Sequence, residues 1–285
     1  CCHCRLVPKT LRLRIKAVST DIQTSAKVIA DRAPGFKPAV GMVLGSGLGP
    51  FADTIENRIV ISYDDLPGFP KPGVAGHAGQ LVLGTVGGTA VAVMQGREHF
   101  YETGKADAMK TPVRTLQAIG CETLVVTNAA GSTVEAAGPG SVMMITDHIA
   151  FTGQSPLFGE EGNDRFVDLS QAYDADHQTA LRGIAKAKNI AMAEGTYMWF
   201  CGPHFETPAE IKMSQIMGAS AVGMSTVPEV ILARHIGMRV AALSIITNLA
   251  AGMSEVKLSH EQTMTMAAKA ADDVQGLLTD FLSNY

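Results

Sequence analysis

Short apolar runs of strand length alternate with helical patterns along most of this chain, and that alternation restricts the folds open to it. The runs are Ala39 to Leu44, Gln80 to Val86, Ala90 to Met94, Thr123 to Thr127, Val142 to Asp147, Ala221 to Met224 and Val240 to Thr247, and several end directly in Gly, Ser or Asn. Helical patterns cover Thr20 to Arg32, Asp107 to Ile119, Gln178 to Lys188, Pro208 to Met217, Pro228 to Ile236 and Ser259 to Leu282. Alternation of this kind predicts an α/β fold: a single-domain α/β/α sandwich in which helices cover a central, mostly parallel or mixed β-sheet. Ligand groups in such a fold are expected where strands run out into loops.

Nothing in the 285 residues resembles a linker or a repeat, so one domain is expected over residues 20–285, with residues 1–19 set apart as an N-terminal extension. A 46% hydrophobic fraction against 18% charged residues fits a filled core. The formal net charge of -4, without a basic block, argues against nucleic acid as a partner, because such binding needs clustered Lys and Arg. A small anion remains compatible with it, since a few local donors suffice. Cys1, Cys2 and Cys4 crowd the start, while Cys121 and Cys201 stand apart in apolar surroundings, which makes neither a disulfide framework nor an ordinary zinc pattern. No metal site is expected. The chain has no uncharged apolar stretch of membrane-spanning length and no signal-peptide pattern, so no membrane partner and a cytoplasmic location are expected.

Four segments carry polar chemistry. VLGSGLGP (Val43 to Pro50) is a strand followed by a glycine turn with Ser46 at its tip; Pro50 breaks the dinucleotide fingerprint, and no Walker lysine follows. MQGREHFYE (Met94 to Glu102) places Arg97, His99 and Tyr101 at alternate positions, one face of an extended segment, where guanidinium and imidazole donors would meet an oxyanion. TNAAGS (Thr127 to Ser132) ends a strand in small residues that permit close approach of backbone N–H groups. Within GPHFETPAE (Gly202 to Glu210), Glu206 has no charged neighbour from Met198 to Pro208 except His204, an unusual setting for a solvated carboxylate. Asn248 closes a further apolar run with an amide that both donates and accepts. A flat nitrogen heterocycle with a ring N–H would satisfy both residues. Two long Gly/Pro-rich loops, Leu66 to Gly79 and Gly153 to Asp168, are expected to act as lids, binding loops or subunit contacts.

Taken in order, GSGLG, GHAGQLVLG, MQGR-x-H-x-YE, LVVTNAAGS, GTY, GPHFETPAE, AVGMSTVPEV and ITN closely resemble the trimeric purine nucleoside phosphorylases that cleave 6-oxopurine nucleosides, a phosphorylase/hydrolase-like fold, over roughly residues 38 to 282. The resemblance implies that Ser46, His77, Arg97, His99, the Ala129 N–H and Ser225 bind phosphate; that Tyr101, Tyr197, Met224 and His260 line the ribose pocket; and that Phe205, Glu206 and Asn248 hold the base. Asn248, Glu206 and His99 would be the catalytic groups. It further implies a homotrimer, purine nucleoside and phosphate as the small-molecule partners, and no cofactor, phosphate being a co-substrate. Phe158 or Phe166 would reach a neighbouring subunit's site. The chain departs from the pattern in three places. Only eleven residues separate Asn248 from His260, the 153–168 loop is shortened, and Leu249 stands where a lysine is common. Methylthioadenosine phosphorylases share the scaffold but carry Asp at the position of Asn248. A non-catalytic purine sensor would have no use for the phosphate set.

Overall fold

The computed structural model describes residues 20–71, 73, 78–255 and 259–285, without the side chains of residues 260–262. The expected metal-free N-terminal extension and His77 lie outside the described residues. Nine strands and seven helices follow in the order α1 (Thr20–Arg32), β1 (Val40–Leu44), β2 (Glu56–Ser62), β3 (Gln80–Val86), β4 (Thr89–Gln95), α2 (Phe100–Thr103), α3 (Lys110–Ala118), β5 (Thr123–Ser132), β6 (Val142–Ile149), α4 (Ala175–Ala187), β7 (Met192–Trp199), α5 (Pro208–Ile216), β8 (Ala221–Gly223), α6 (Val227–His235), β9 (Arg239–Leu249) and α7 (His260–Ser283) among the described residues.

The sheet is mixed. Its order is β2-β3-β4-β1-β5-β8-β7-β6-β9, and β9 returns to pair with β5, so five of the strands close into a ring at one side of an open sheet. β1 runs parallel to β4 and β5, and β5 parallel to β9, while β3 is antiparallel to both β2 and β4. Alternate residues of the central strands feed opposite cores. Val43, Ala92, Met94, Leu124, Val126 and Ala242 meet α1, α3 and α6 through Ile29, Val113, Leu116 and Val230. Met42, Leu44, Val91, Val93, Val125 and Leu243 meet α4 and α7 through Leu181, Val274 and Leu278. Apolar side chains on both faces are what a strand covered on two sides requires, and the predicted helix–sheet–helix layering is present.

Two strands escaped the sequence pattern. β2 is largely exposed and carries Glu56, Asn57 and Arg58, with a register shift between Glu56 and Ile59 and a positive φ of 53° at Asn57. β7 contains Glu194 and Gly195 in place of a continuous apolar run. At Gly195 an added Cβ would lie 2.3 Å from the Ser220 Cβ, so its packing excludes a larger residue there. Helix α4 begins three residues earlier than its pattern, because Asp174 accepts from the Asp176 and His177 N–H groups and is itself gripped by Arg239 at 2.6 and 2.7 Å.

Candidate active site

The strand ends of the ring and the turn after β1 surround a cleft of about 250 Å³. Ser46, Arg97, His99, Tyr101, Ala129, Met224, Ser225, Phe205, Glu206 and Asn248, ten of the residues predicted for a site, all line it. Segments separated by up to two hundred positions in the chain therefore meet as the motif reading required. Tyr197 is the exception. It is fully buried, and its hydroxyl stands behind the cleft, accepting from the Ser225 N–H at 3.3 Å. It supports the Met224-Ser225 turn and is not among the residues that line the cleft. His260 opens α7, and its side chain lies outside the described residues.

Three glycines in these motifs have a spatial reason. A Cβ on Gly45 would stand 2.6 Å from the Thr127 carbonyl oxygen, one on Gly47 (φ 84°) 2.4 Å from the Ala267 Cβ, and one on Gly223 2.3 Å from the Tyr197 hydroxyl. The TNAAGS segment differs from its expected form. It is the second half of β5 and does not run out as a loop, and it pairs with β9 as far as Leu249.

That pairing aims the Asn248 amide. Register slips by one residue between Ala130 and Gly131, so Asn248, and not Thr247, stands opposite Gly131. The Asn248 Oδ1 accepts from the Thr247 hydroxyl at 2.9 Å and its Nδ2 donates to the Leu249 carbonyl at 3.0 Å. A Cβ on Gly131 would lie 2.9 Å from that Nδ2. With the base role that the resemblance implies for Asn248, Gly131→Ala is expected to push the amide aside and lower kcat/KM for nucleoside by about 10²-fold, with a much smaller effect on the phosphate KM. Equal changes in the two would contradict this account of Asn248.

Glu206 is 8% exposed, and its Oε1 is buried without a hydrogen-bond partner. Burial pushes its carboxyl above the usual carboxylate range, and Glu210 pushes in the same direction. Helix capping does not account for it, because Thr207 and Glu210 form the capping box of α5. A buried carboxylate oxygen facing a cleft is an acceptor in want of a donor.

β4 ends at Gln95, and the chain turns into the short helix α2 at Phe100, so Arg97, His99 and Tyr101 do not share an extended face as expected. His99 and Tyr101 remain together because α2 stacks their rings, 4.8 Å apart and 10° from parallel. His99 caps α2, with its Nδ1 2.9 Å from the Glu102 Oε1. Burial first, and the Arg97 charge second, lower its pKa to about 4, against the opposing pull of Glu102. Burial raises the Glu102 carboxyl, but hydrogen bonds from His99 and from the Gly73 N–H outweigh it and hold the group below its ordinary value. An ionised carboxylate only accepts, so Nδ1 carries the proton and Nε2 is an acceptor. His99 is thus suited to receive a P–OH hydrogen, where a donor was expected.

The same shift gives a stability prediction. Between about pH 6.5 and about 4 the unfolded chain protonates this imidazole while the folded chain resists, so stability falls as pH drops through that window by at most about 3 kcal/mol. Above pH 6.5 both states are neutral and the contribution vanishes. Urea unfolding of wild type and His99→Gln at pH 7 and pH 4.5 measures it: the variant should lose less stability on acidification. Identical losses would mean that His99 is not held neutral.

Arg97 is 1% exposed. One terminal nitrogen donates to the Glu229 Oε1 at 2.8 Å and, at 3.4 Å, to the Thr226 hydroxyl; the other reaches the Thr127 carbonyl closely and the Val43 carbonyl at 3.5 Å. Sequence reasoning passed over Glu229 and Thr226. Thr226 has φ 76° and ψ -52°, and the Val227 N–H reaches over it to the Ser225 carbonyl at 2.8 Å, a γ-turn of the rare positive-φ kind. A β-branched residue is strained there. Its hydroxyl accepts from the Asn128 Nδ2 at 2.8 Å and lies 3.2 Å from the Ser225 hydroxyl. The motif AVGMSTVPEV contains both residues, but an apolar-periodic helix start gives no hint that its Glu is buried.

This site sits in a chain whose residues 39–283 match the family model described as the phosphorylase superfamily. Purine nucleoside phosphorylase 1 of Bacillus subtilis is 46% identical over 267 residues, covering 93% of this chain and 98% of that protein. The chain belongs to the purine nucleoside phosphorylases of the phosphorylase superfamily. Among solved structures, Schistosoma mansoni purine nucleoside phosphorylase in complex with inosine superposes with a TM-score of 0.88 at 34% identity, covering 95% of this chain and 98% of that one. Isoform 2 of the Schistosoma mansoni enzyme, in complex with cytosine and ribose-1-phosphate, gives 0.87 at 37% identity, covering 92% and 95%. The chain is an enzyme of this family with an α/β phosphorylase fold. No helix among its described residues is long and apolar enough to cross a membrane.

Proposed function

We propose that this phosphorylase acts on 6-oxopurine ribo- and deoxyribonucleosides such as inosine and guanosine, yielding free base and pentose 1-phosphate in cytoplasmic purine salvage. The observation that carries the specificity is the unpartnered, buried Glu206 Oε1 on the same cleft as the Asn248 amide. A 6-oxopurine offers a ring N–H to Glu206, and Asn248 donates toward N7 and the 6-oxo side; a 6-aminopurine lacks that N–H and would leave the carboxylate unpaired.

In this account Ser46, Arg97, His99, the Ala129 N–H and Ser225 receive phosphate, with His77 joining from the 66–79 loop. Tyr101, Met224 and His260 meet the sugar, and Phe205 covers the base. Phosphate attacks the anomeric carbon as the bond to the purine breaks. The sugar passes through oxocarbenium character, and the purine leaves with its negative charge met by Asn248 at N7. Positioning and electrostatic stabilisation of the two separating halves supply the rate, without a cofactor. A homotrimer accords with Phe158 and Phe166 in the 153–168 loop, which are 64% and 75% exposed in the single chain. Quantifying pentose 1-phosphate against hypoxanthine tests the reaction type: a one-to-one yield is expected, and free ribose in its place would indicate hydrolysis.

A further inference from the structure

We infer that Glu229 is a positioning residue, whose carboxylate fixes the Arg97 guanidinium so that N–H groups held only in long contacts are aimed at the phosphate; this rests on the phosphate role proposed for Arg97. The two residues come from distant elements, the segment after β4 and the first turn of α6, and both are almost wholly buried at 1% and 2% exposure. Four contacts of the guanidinium divide into two sets. Glu229 at 2.8 Å and the Thr127 carbonyl hold one terminal nitrogen each, whereas the contacts with the Thr226 hydroxyl and the Val43 carbonyl are long, at 3.4 and 3.5 Å. Long contacts are the ones an incoming oxyanion can replace, since bonds at that distance are weak.

Glu229 cannot be among the partners given up. Removing its cation would leave a carboxylate buried without compensation, which is far less favourable than exchanging a weak neutral contact. The pair therefore persists when phosphate binds, and it sets which N–H vectors point into the cleft. Ser225 and Thr226 precede α6 directly, so the turn that offers the Ser225 hydroxyl and the helix that anchors Arg97 are one continuous piece. An ion pair serving the fold alone would have no need of that continuity.

Steady-state kinetics of Glu229→Ala, Glu229→Asp and Glu229→Gln, with Arg97→Ala as reference, test the assignment, each with KM for phosphate, KM for inosine and Tm. The carboxamide keeps an acceptor at the original reach, so Glu229→Gln should hold the phosphate KM within about threefold of wild type. Glu229→Asp keeps the charge but shortens the reach, and with Glu229→Ala it should raise the phosphate KM by about tenfold or more, with the inosine KM changing little. If Glu229→Ala fails to fold, the Asp and Gln variants decide between them. Parallel rises in both KM values with a lowered Tm would reduce Glu229 to a structural residue. Glu229→Gln as damaging as Glu229→Asp, or tighter phosphate binding in it, would make charge and not position the determinant. If Arg97→Ala raises the phosphate KM and the Glu229 variants do not, this inference alone fails; if Arg97→Ala leaves it unchanged, the phosphate role of Arg97 fails first.

Discussion

Glu206→Ala is expected to lower kcat/KM for inosine on the order of 10³-fold, because a site built around a buried acceptor loses most of its discrimination when that acceptor is removed. The phosphate KM should stay close to the wild-type value, since the base and not phosphate is the partner proposed for Glu206. Stability should move the other way. In the ligand-free protein the Glu206 Oε1 is buried and unpartnered, so deleting the carboxyl removes an uncompensated desolvation cost of about 1–3 kcal/mol. A Tm equal to or above that of wild type, together with a collapse of activity, is the expected pair of results. Loss of activity accompanied by a fall in Tm would instead make Glu206 a structural residue.

Asn248→Asp should redirect selectivity. A carboxylate accepts from a 6-amino group and repels a 6-oxo oxygen, whereas the amide donates to the latter. The ratio of kcat/KM for inosine to that for adenosine is expected to fall by about 10²-fold or more. The local structure accommodates the change only in part. Oδ1 keeps its bond from the Thr247 hydroxyl, but the donation from Nδ2 to the Leu249 carbonyl becomes a close approach of two oxygens. Some loss of stability should therefore accompany the switch. Unchanged selectivity would remove Asn248 from base recognition.

Much of this is legible in the sequence because the informative segments are short, ordered and chemically unusual. Strands that are apolar on both faces announce themselves, which is why β1, β4 and the first half of β5 were found with nearly their true bounds. β2 and β7 were missed because exposed edges and close-packed glycine carry no apolar run. Burial of Glu206 could be read from the absence of charged neighbours. Burial of Glu229 could not, since a glutamate in the first turn of a helix ordinarily faces water and complements the helix dipole. The retreat of Tyr197 behind the cleft follows from Gly223, whose missing Cβ makes room for the phenol, and a sequence does not say which of two neighbours a glycine accommodates. Where His99 was expected to donate, the Glu102 carboxylate three residues on accepts from Nδ1 and so leaves Nε2 as an acceptor.

Release of free base from inosine, with phosphate titrated from zero and adenosine and methylthioadenosine run in parallel, tests the central claim most directly. Turnover of inosine that saturates with phosphate and vanishes without it, at rates far above those of the 6-amino substrates, is predicted. Preferential cleavage of adenosine or methylthioadenosine would contradict the assignment of Glu206 and Asn248, and tight hypoxanthine binding without turnover would contradict catalysis itself.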